Sequence, residues 1–397
     1  MPSILIRNAL TPAGGTYVTT NVLIEDGNIV SLDPGHGSPD LEIDASGLML
    51  MPGLIDLHGD GFERQIMPRP GVNFDLDLAL LETDRQLVSN GITTAFHAIT
   101  WSWEPGLRGA ETVIALMSAL ERLQSRLAAD TRIHLRHEAY NLDAEPTIIE
   151  WLNEGRIDLL AFNDHMAATL KDSAKPQKRS VMVKRTGLSD HQFDALVSAV
   201  QLRYADVQPS IERLASCASK NGITALSHDD ATRTDRIWFR ERSVQIAEFP
   251  VAEDVADEAR SGGDFIVFGA PNVVRGGSHN GCPSATHMVE KGLCDILASD
   301  YFYPALLAAP FTLAERLGGS PAQYWPLVSR NAAQAVGLQD RGEIKNGMRA
   351  DVILVENLTN RPVVHATIIY GKIVYLSGPE RLRYVGFNSM KHASHHH

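Results

Sequence analysis

Eight short apolar runs separated by segments of helical length constrain this chain more than any other feature. They are Leu54 to Leu57, Thr93 to Ala98, Ile133 to Arg136, Leu159 to Phe162, Ile223 to Leu226, Val244 to Phe249, Phe265 to Phe268 and Ile296 to Ala298. Each suits a buried strand, while stretches such as Leu78 to Val88 and Ala110 to Leu127 carry helical apolar spacing. That alternation builds βα units on one parallel sheet, and eight strands close a barrel. The expectation is an α/β fold, a (β/α)8 TIM-like barrel over residues 51–344, for which 397 residues at 44% hydrophobic content supply ample core. No internal repeat is visible. The longest interval, Met166 to Asn221, predicts a loop excursion followed by a helix near Gln208 to Lys220.

The two ends read differently. Asn21 to Ile24, the turn Glu25-Asp26-Gly27-Asn28 and Ile29-Val30 form a hairpin signature. Asp351 to Val355 reads as a strand, and Val363 to Ile369, Tyr370-Gly371-Lys372 and Ile373 to Tyr375 as a second hairpin. One small β-sandwich domain built from residues 1–50 and 345–385 is expected, with two unrelated β-appendages as the alternative. Residues 393–397 (Ala-Ser-His-His-His) read as a truncated purification tag, so their histidines enter no metal argument.

A net charge of -12 argues against a nucleic-acid or anionic-membrane partner, and no apolar run reaches spanning length. An anionic substrate therefore needs a local basic pocket. Three cysteines (Cys217, Cys282, Cys294) without metal-knuckle spacing read as reduced thiols, and the start runs into Ile4-Leu5-Ile6 without a secretion pattern. A cytoplasmic protein is expected.

Polar residues gather where the apolar runs stop: His58-Gly59-Asp60, His137-Glu138, Asn163-Asp164-His165, Ser227-His228-Asp229-Asp230 and Ser299-Asp300. In a parallel barrel all strands open at their carboxyl ends onto one face. A lone histidine there is usually a core or loop residue, and a lone aspartate a helix N-cap, which is one reading of Asp229 or Asp230. Five such ends together favour a shared divalent-metal site. Imidazole and carboxylate donors suit zinc, manganese or iron, as one or two ions, better than calcium.

Pro52-Gly53-Leu54-Ile55-Asp56-Leu57-His58 closing the first strand resembles the amidohydrolase superfamily, whose members also carry a β-sandwich made from both termini. His58-Gly59-Asp60 in place of His-x-His points to one branch. With Pro68-Arg69-Pro70, Gly91 to Thr94, Ile133 to Glu138, Asp164-His165, Ser227 to Thr232, Glu248-Phe249-Pro250, Gly269 to His279 and Ser299-Asp300-Tyr301, the chain is similar to the PhnM-type diphosphatases of phosphonate metabolism. Three segments depart from that pattern near the pocket: Met166 to Asp190, Asn280-Gly281-Cys282 and Tyr301 to Pro304.

The resemblance implies His58 and Asp60 on one metal, Glu138 as a bridging carboxylate, and His165 and His228 completing a second position. It implies Asp300 as both ligand and base, with His228 in the catalytic set, while His97 and His137 remain structural. Arg69 between prolines and Arg275 before Gly276-Gly277 are candidate phosphate contacts. Asn272, His279 and Asp230 join them from the family-like blocks. Lys171, Lys175, Lys178, Arg179, Lys184 and Arg185 form either a solvated loop or a phosphate-covering flap, and Trp101 and Trp103 pack on the rim or wall the pocket.

The implied activity is metal-dependent hydrolysis of a small phosphorylated molecule, α-D-ribose 1-methylphosphonate 5-triphosphate, to the 5-phosphate and pyrophosphate by metal-bound hydroxide. One alternative is an amidohydrolase acting on an amide, cyclic imide or amino-purine; another is a catalytically silent scaffold. A homodimer is left open.

Overall fold

The computed structural model describes residues 1–34, 39–69, 71–277, 283–358 and 361–384. Strands β1 (Ile4–Ala13), β2 (Thr16–Glu25), β3 (Asn28–Leu32), β4 (Leu41–Asp44) and β5 (Met49–Pro52) come first. Then follow β6 (Leu54–Gly59), β7 (Ile92–Trp101), β8 (Asp130–Glu138), β9 (Leu159–Asn163), β10 (Thr224–His228), β11 (Ile246–Glu248), β12 (Phe265–Gly269) and β13 (Ile296–Ala298). The carboxyl end supplies β14 (Val352–Leu358), β15 (Arg361–Ile369), β16 (Lys372–Leu376) and β17 (Leu382–Tyr384).

Strands β6 to β13 pair in chain order, all parallel, so each of the eight apolar runs is a barrel strand. Ile55, Leu57, Phe96, Leu159, Leu226, Ile246, Val267 and Ile296 fill the interior, and Ala332 and Ala333 pack against them. Barrel closure between β6 and β13 is short: Asp300 N–H donates to His58 O (2.8 Å) and Asp60 N–H to Asp300 O (2.9 Å). The seam thus falls among the residues singled out for chemistry.

The terminal strands form one mixed sheet in the order β16-β15-β14-β5-β1-β2-β3, with β4 beside β1 and β17. Antiparallel pairing of β5 with β14 joins the two ends of the chain. Both expected hairpins have central residues at positive φ (Asp26 46°, Gly27 84°; Tyr370 48°, Gly371 70°), the geometry of turns that match strand twist. The turns abut: a Cβ on Gly371 would stand 2.9 Å from Gly27 Cα, so glycine is required. Strand β5 passes into β6 through Gly53 alone, where a Cβ would meet Thr93 Oγ1 at 2.3 Å. That clash explains the Pro-Gly step.

The expected helix near Gln208 to Lys220 is Tyr204–Lys220, but the loop expected before it is helical, with segments Met166–Ser173, Pro176–Thr186 and Asp190–Gln201. Pro176 in a first turn, Gly187 in left-handed geometry and the Ser189–Gln192 capping box punctuate it. Its cations are partly spent internally: Lys178 Nζ lies 2.6 Å from Asp172, and Arg179 reaches Asp190 (3.0 Å) and Asp194 (2.7 Å). Among the described residues no helix is long and apolar enough to cross a membrane. Cys217 and Cys294 are free thiols, while Cys282 and the tag-like 393–397 lie outside the described residues.

Arg341 ties the barrel to the terminal sheet. Its buried guanidinium reaches Asp130 at the start of β8 (2.5 Å) and Thr94 Oγ1 in β7 (3.0 Å), beside Asp351 next to β14 (3.7 Å). Arg132 and Arg349 also reach these carboxylates, so removing Arg341 takes away a buried charged donor without leaving either one unpaired. Arg341→Ala is expected to cost about 1.5–3 kcal/mol in denaturant unfolding, and a loss under 1 kcal/mol would reject this clamp.

Candidate metal centre

The register of the strands decides which side chains meet. A register shift between Asp56 and Gly59 on β6 re-aims the residues at the strand end. Asp56 is wholly buried and accepts from His58 N–H (3.3 Å), Ser299 N–H (2.9 Å) and Ser299 Oγ (2.5 Å), which stitches β6 to β13. Burial pushes its carboxyl up to about 6 despite those bonds. A Cβ on Gly59 would lie 2.6 Å from Asp56 and 2.9 Å from the Tyr303 ring, so the residue between His58 and Asp60 has no room for a side chain.

Along β8, His134, Arg136 and Glu138 share one side by period two. His134 Nδ1 lies 2.8 Å from Leu57 O; Arg136 contacts Asp60 (3.5 Å) and His228 Nε2 (3.2 Å); Glu138 Oε1 lies 2.6 Å from His165 Nδ1. Glu248 ends β11 fully buried. Its two oxygens stand 2.9 Å from His58 Nδ1 and 2.7 Å from His228 Nδ1, and the two imidazoles stack at 5.6 Å. Burial alone would raise this carboxyl, yet His58, His228 and His134 hold it well below the usual glutamate range.

Asp229, Phe249 and Asp300 each follow a strand end at positive φ (60°, 54° and 54°), which turns the chain sharply at the barrel mouth. Three sets of donor atoms result, each within 4.8 Å: His58, Asp60 and Asp300; His165, His228 and Asp229; His58, His134 and Glu248.

Imidazole and carboxylate groups on converging strand ends are a donor set for a divalent transition metal, and two observations fit one here. Burial drops His58 to about 4, so its imidazole is neutral as a ligand must be. His134 Nε2 is buried without a hydrogen-bond partner beside His58 and Glu248. His165 behaves oppositely: burial would lower it, but its bonds to Asp229 and Glu138 lift it to about 9. Asp300 is pushed up to about 7 by burial, with the charge of Asp60 adding.

The sequence candidates fall in several places. His58, Asp60 and Asp300 meet, as do His165 and His228, with Glu138 bonded to His165. Asn272 and Arg275 line a cavity of about 330 Å³ shared with His58, His228 and Asp300; Asn272 Oδ1 accepts from Ala285 N–H and Arg275 contacts Tyr301 OH at 3.3 Å. Arg69 is exposed in a tight turn with Val72 and is not part of that lining. Asp230 is committed to Ser227 Oγ (2.7 Å) and the buried Arg236 (3.1 Å) through Oδ2. His279 lies outside the described residues.

Neither Asp229 nor Asp230 caps a helix. Thr232 does, in a capping box with Asp235. His97 and His137 are buried, and burial lowers both to about 4. Trp101 packs on Trp151 at 5.1 Å, while Trp103 lines a cavity with Glu138 and His165. The sequence reading assigned no role to Glu248, Asp56, His134 or Arg136. Alternation back from Glu138 flags Arg136 and His134, and Glu248 is a sixth polar residue ending an apolar run.

No family model matches the chain. The alpha-D-ribose 1-methylphosphonate 5-triphosphate diphosphatase of Escherichia coli (strain K12) is 30% identical over 379 residues, covering 94% of this chain and all of that protein. A crystallised amidohydrolase is similar in fold (TM-score 0.64, 18% identical, 94% of this chain and 99% of that one). So is the dihydropyrimidinase from Brevibacillus agri NCHU1002 (TM-score 0.63, 14% identical, 94% and 95%).

Glu248→Gln is expected to lower divalent-metal affinity about 10–100-fold in a chelator competition, because a neutral amide removes the buried negative charge that His228 bonds and His58 faces. Unchanged affinity would remove Glu248 from the centre. By its similarity to the E. coli enzyme over nearly its whole length, on an amidohydrolase fold, the chain belongs to the family of the alpha-D-ribose 1-methylphosphonate 5-triphosphate diphosphatases.

Proposed function

We propose that this chain hydrolyses a phosphoanhydride of a ribosyl 5-triphosphate, with α-D-ribose 1-methylphosphonate 5-triphosphate giving the 5-phosphate and pyrophosphate in phosphonate catabolism. One observation carries the reading: the cavity beside His58 and Asp300 is also lined by Arg136 and by Arg275, at the end of the helix Ala270–Arg275, with Gly269 and Gly277 flanking that helix. In a chain of net charge -12, two guanidiniums at a carboxylate-rich mouth suit a polyanion. The name of the E. coli relative supports the substrate class.

In this reading His58, Asp60 and Asp300 would hold one divalent ion, and His228, Asp229 and His165, the last giving up its proton on binding, a second, with Glu138 a further ligand at the His165 side. Zinc, manganese and iron all suit these donors. Such an ion supplies Lewis acidity toward a phosphoryl oxygen and acidifies water. The chain's own groups do the rest. Asp300, carboxylate at the seam of the barrel, takes the proton from the attacking water. A new oxygen–phosphorus bond forms as the bridging oxygen–phosphorus bond breaks. Arg136 and Arg275 offset the charge on the phosphoryl oxygens, and pyrophosphate departs.

The test is pyrophosphate release from ribosyl and nucleoside 5'-triphosphates by metal-loaded protein. Chelator-sensitive release is expected; no release from any of them, with metal bound, would move the assignment to amide, cyclic imide or amino-purine substrates. Asp300→Asn should keep the fold and lower turnover by about 10²-fold or more, and near-normal turnover would reject Asp300 as the base. Arg275→Ala should raise KM for a triphosphate about 10-fold while leaving an uncharged substrate unaffected, since a charge-assisted contact is lost; equal effects on both would end its phosphate role.

A further inference from the structure

A second cavity of about 610 Å³ opens on the other side of the centre and shares His228 and Asp229 with the arginine-lined one. Its character is different. Asp164, Asp229, Asp230 and Asp235 line it, and its described lining contains no lysine or arginine. A phosphate there would face four carboxylates with no lysine or arginine in the described lining to offset them. The walls are aromatic: Phe162 stacks on Phe239 at 6.1 Å, and Trp238 meets Phe239 edge-on at 5.0 Å.

Within this lining Asn163 is fully buried, and both Oδ1 and Nδ2 lack a hydrogen-bond partner. Asp230, 4% exposed, leaves Oδ1 unpartnered while Oδ2 is held by Ser227 and Arg236. Three polar atoms are thus buried and unpaired beside one cavity, where each is costly to leave so. Together they offer one donor and two acceptors, the complement of neighbouring hydroxyls, and flat aromatic walls suit the face of a small ring.

We propose that this cavity is the subsite for the hydroxyl-bearing ring of the substrate, a ribosyl ring or similar polyol, with Asn163 as the residue that reads a hydroxyl. The inference rests on the phosphoanhydride reading and deepens it, because it sets the direction of the substrate. The sugar lies on the Asn163 side of His228, and the departing phosphates lie on the Arg275 side.

Calorimetric binding to the metal-loaded protein tests this without turnover, using ribose 5-phosphate, 2-deoxyribose 5-phosphate and pyrophosphate as probes. Wild type is expected to prefer ribose over 2-deoxyribose 5-phosphate by about 10-fold. Asn163→Ala should bring the two sugars to equal affinity and leave pyrophosphate unchanged. Asn163→Asp, which keeps the volume and one acceptor but loses the donor, should also shrink the preference and serves if the alanine variant does not fold. A wild type without the preference, a variant that retains it, or an equal loss for pyrophosphate would each overturn the proposal. Pyrophosphate release with no sugar preference sinks only the subsite; a sugar preference with no release from any triphosphate sinks only the phosphoanhydride reading.

Discussion

The centre depends on one buried carboxylate. Glu248 has no solvent exposure, and an ionised group in such a place is tolerated only when its oxygens are paired. Here His228 Nδ1 bonds one oxygen and the His58 ring stands 2.9 Å from the other, so a single residue on β11 orients His228 and sits between the imidazoles of β6 and β10. Phe249, next along the chain, packs 5.2 Å from both rings and keeps the cluster dry. Outer support comes from Arg236, itself fully buried, which reaches Asp230 (3.1 Å), Ile246 O (3.3 Å) and Asp264 (3.1 Å) and so holds β10 and β11 in register. The Ser227 to Thr232 block is therefore candidate ligand, anchor and helix cap in succession.

The same region carries backbone strain. Three non-glycine residues at the mouth occupy left-handed conformations, each a local cost of about 1–3 kcal/mol that only a well-determined surrounding can sustain. Aspartate tolerates this better than Phe249 does, which fits two of the three being donors. Barrel closure provides the surrounding: the Asp300 and His58 backbones bond each other across the β6–β13 seam, with Asp56 beneath. Closing the sheet and assembling the centre are one event.

Around that rigid core the pocket is asymmetric. Guanidiniums and the short helix Ala270–Arg275 stand on one side; aspartates, aromatic rings and an unpaired amide stand on the other. The two sides thus offer different fields, one cationic and one acidic and aromatic. The helical insertion Met166–Thr186 spends Lys178 and Arg179 on its own aspartates, so it contributes a wall to the Trp103 cavity more than a cluster of free charge.

Local sequence determined the elements. A strand buried on both faces must be a nearly continuous apolar run, so all eight barrel strands were legible, and polar residues at their ends marked the mouth. Turn chemistry at Asp26-Gly27 and Tyr370-Gly371 was legible for the same local reason. The helix Tyr204–Lys220 was legible too, but Met166–Ser173, Pro176–Thr186 and Asp190–Gln201 were not, because short polar helices rest on caps and ion pairs that leave little apolar periodicity. Tertiary structure alone decided the partners. Glu248 lies far along the chain from His58, Arg136 far from His228, and Asp56 reaches Ser299 only across the closed barrel. Which atoms are left unpaired, as at Asn163 and His134, is likewise settled only when every neighbour is in place. Secondary structure answers to the pattern of a few adjacent residues; a metal centre and its pocket answer to distances between segments that no local pattern encodes.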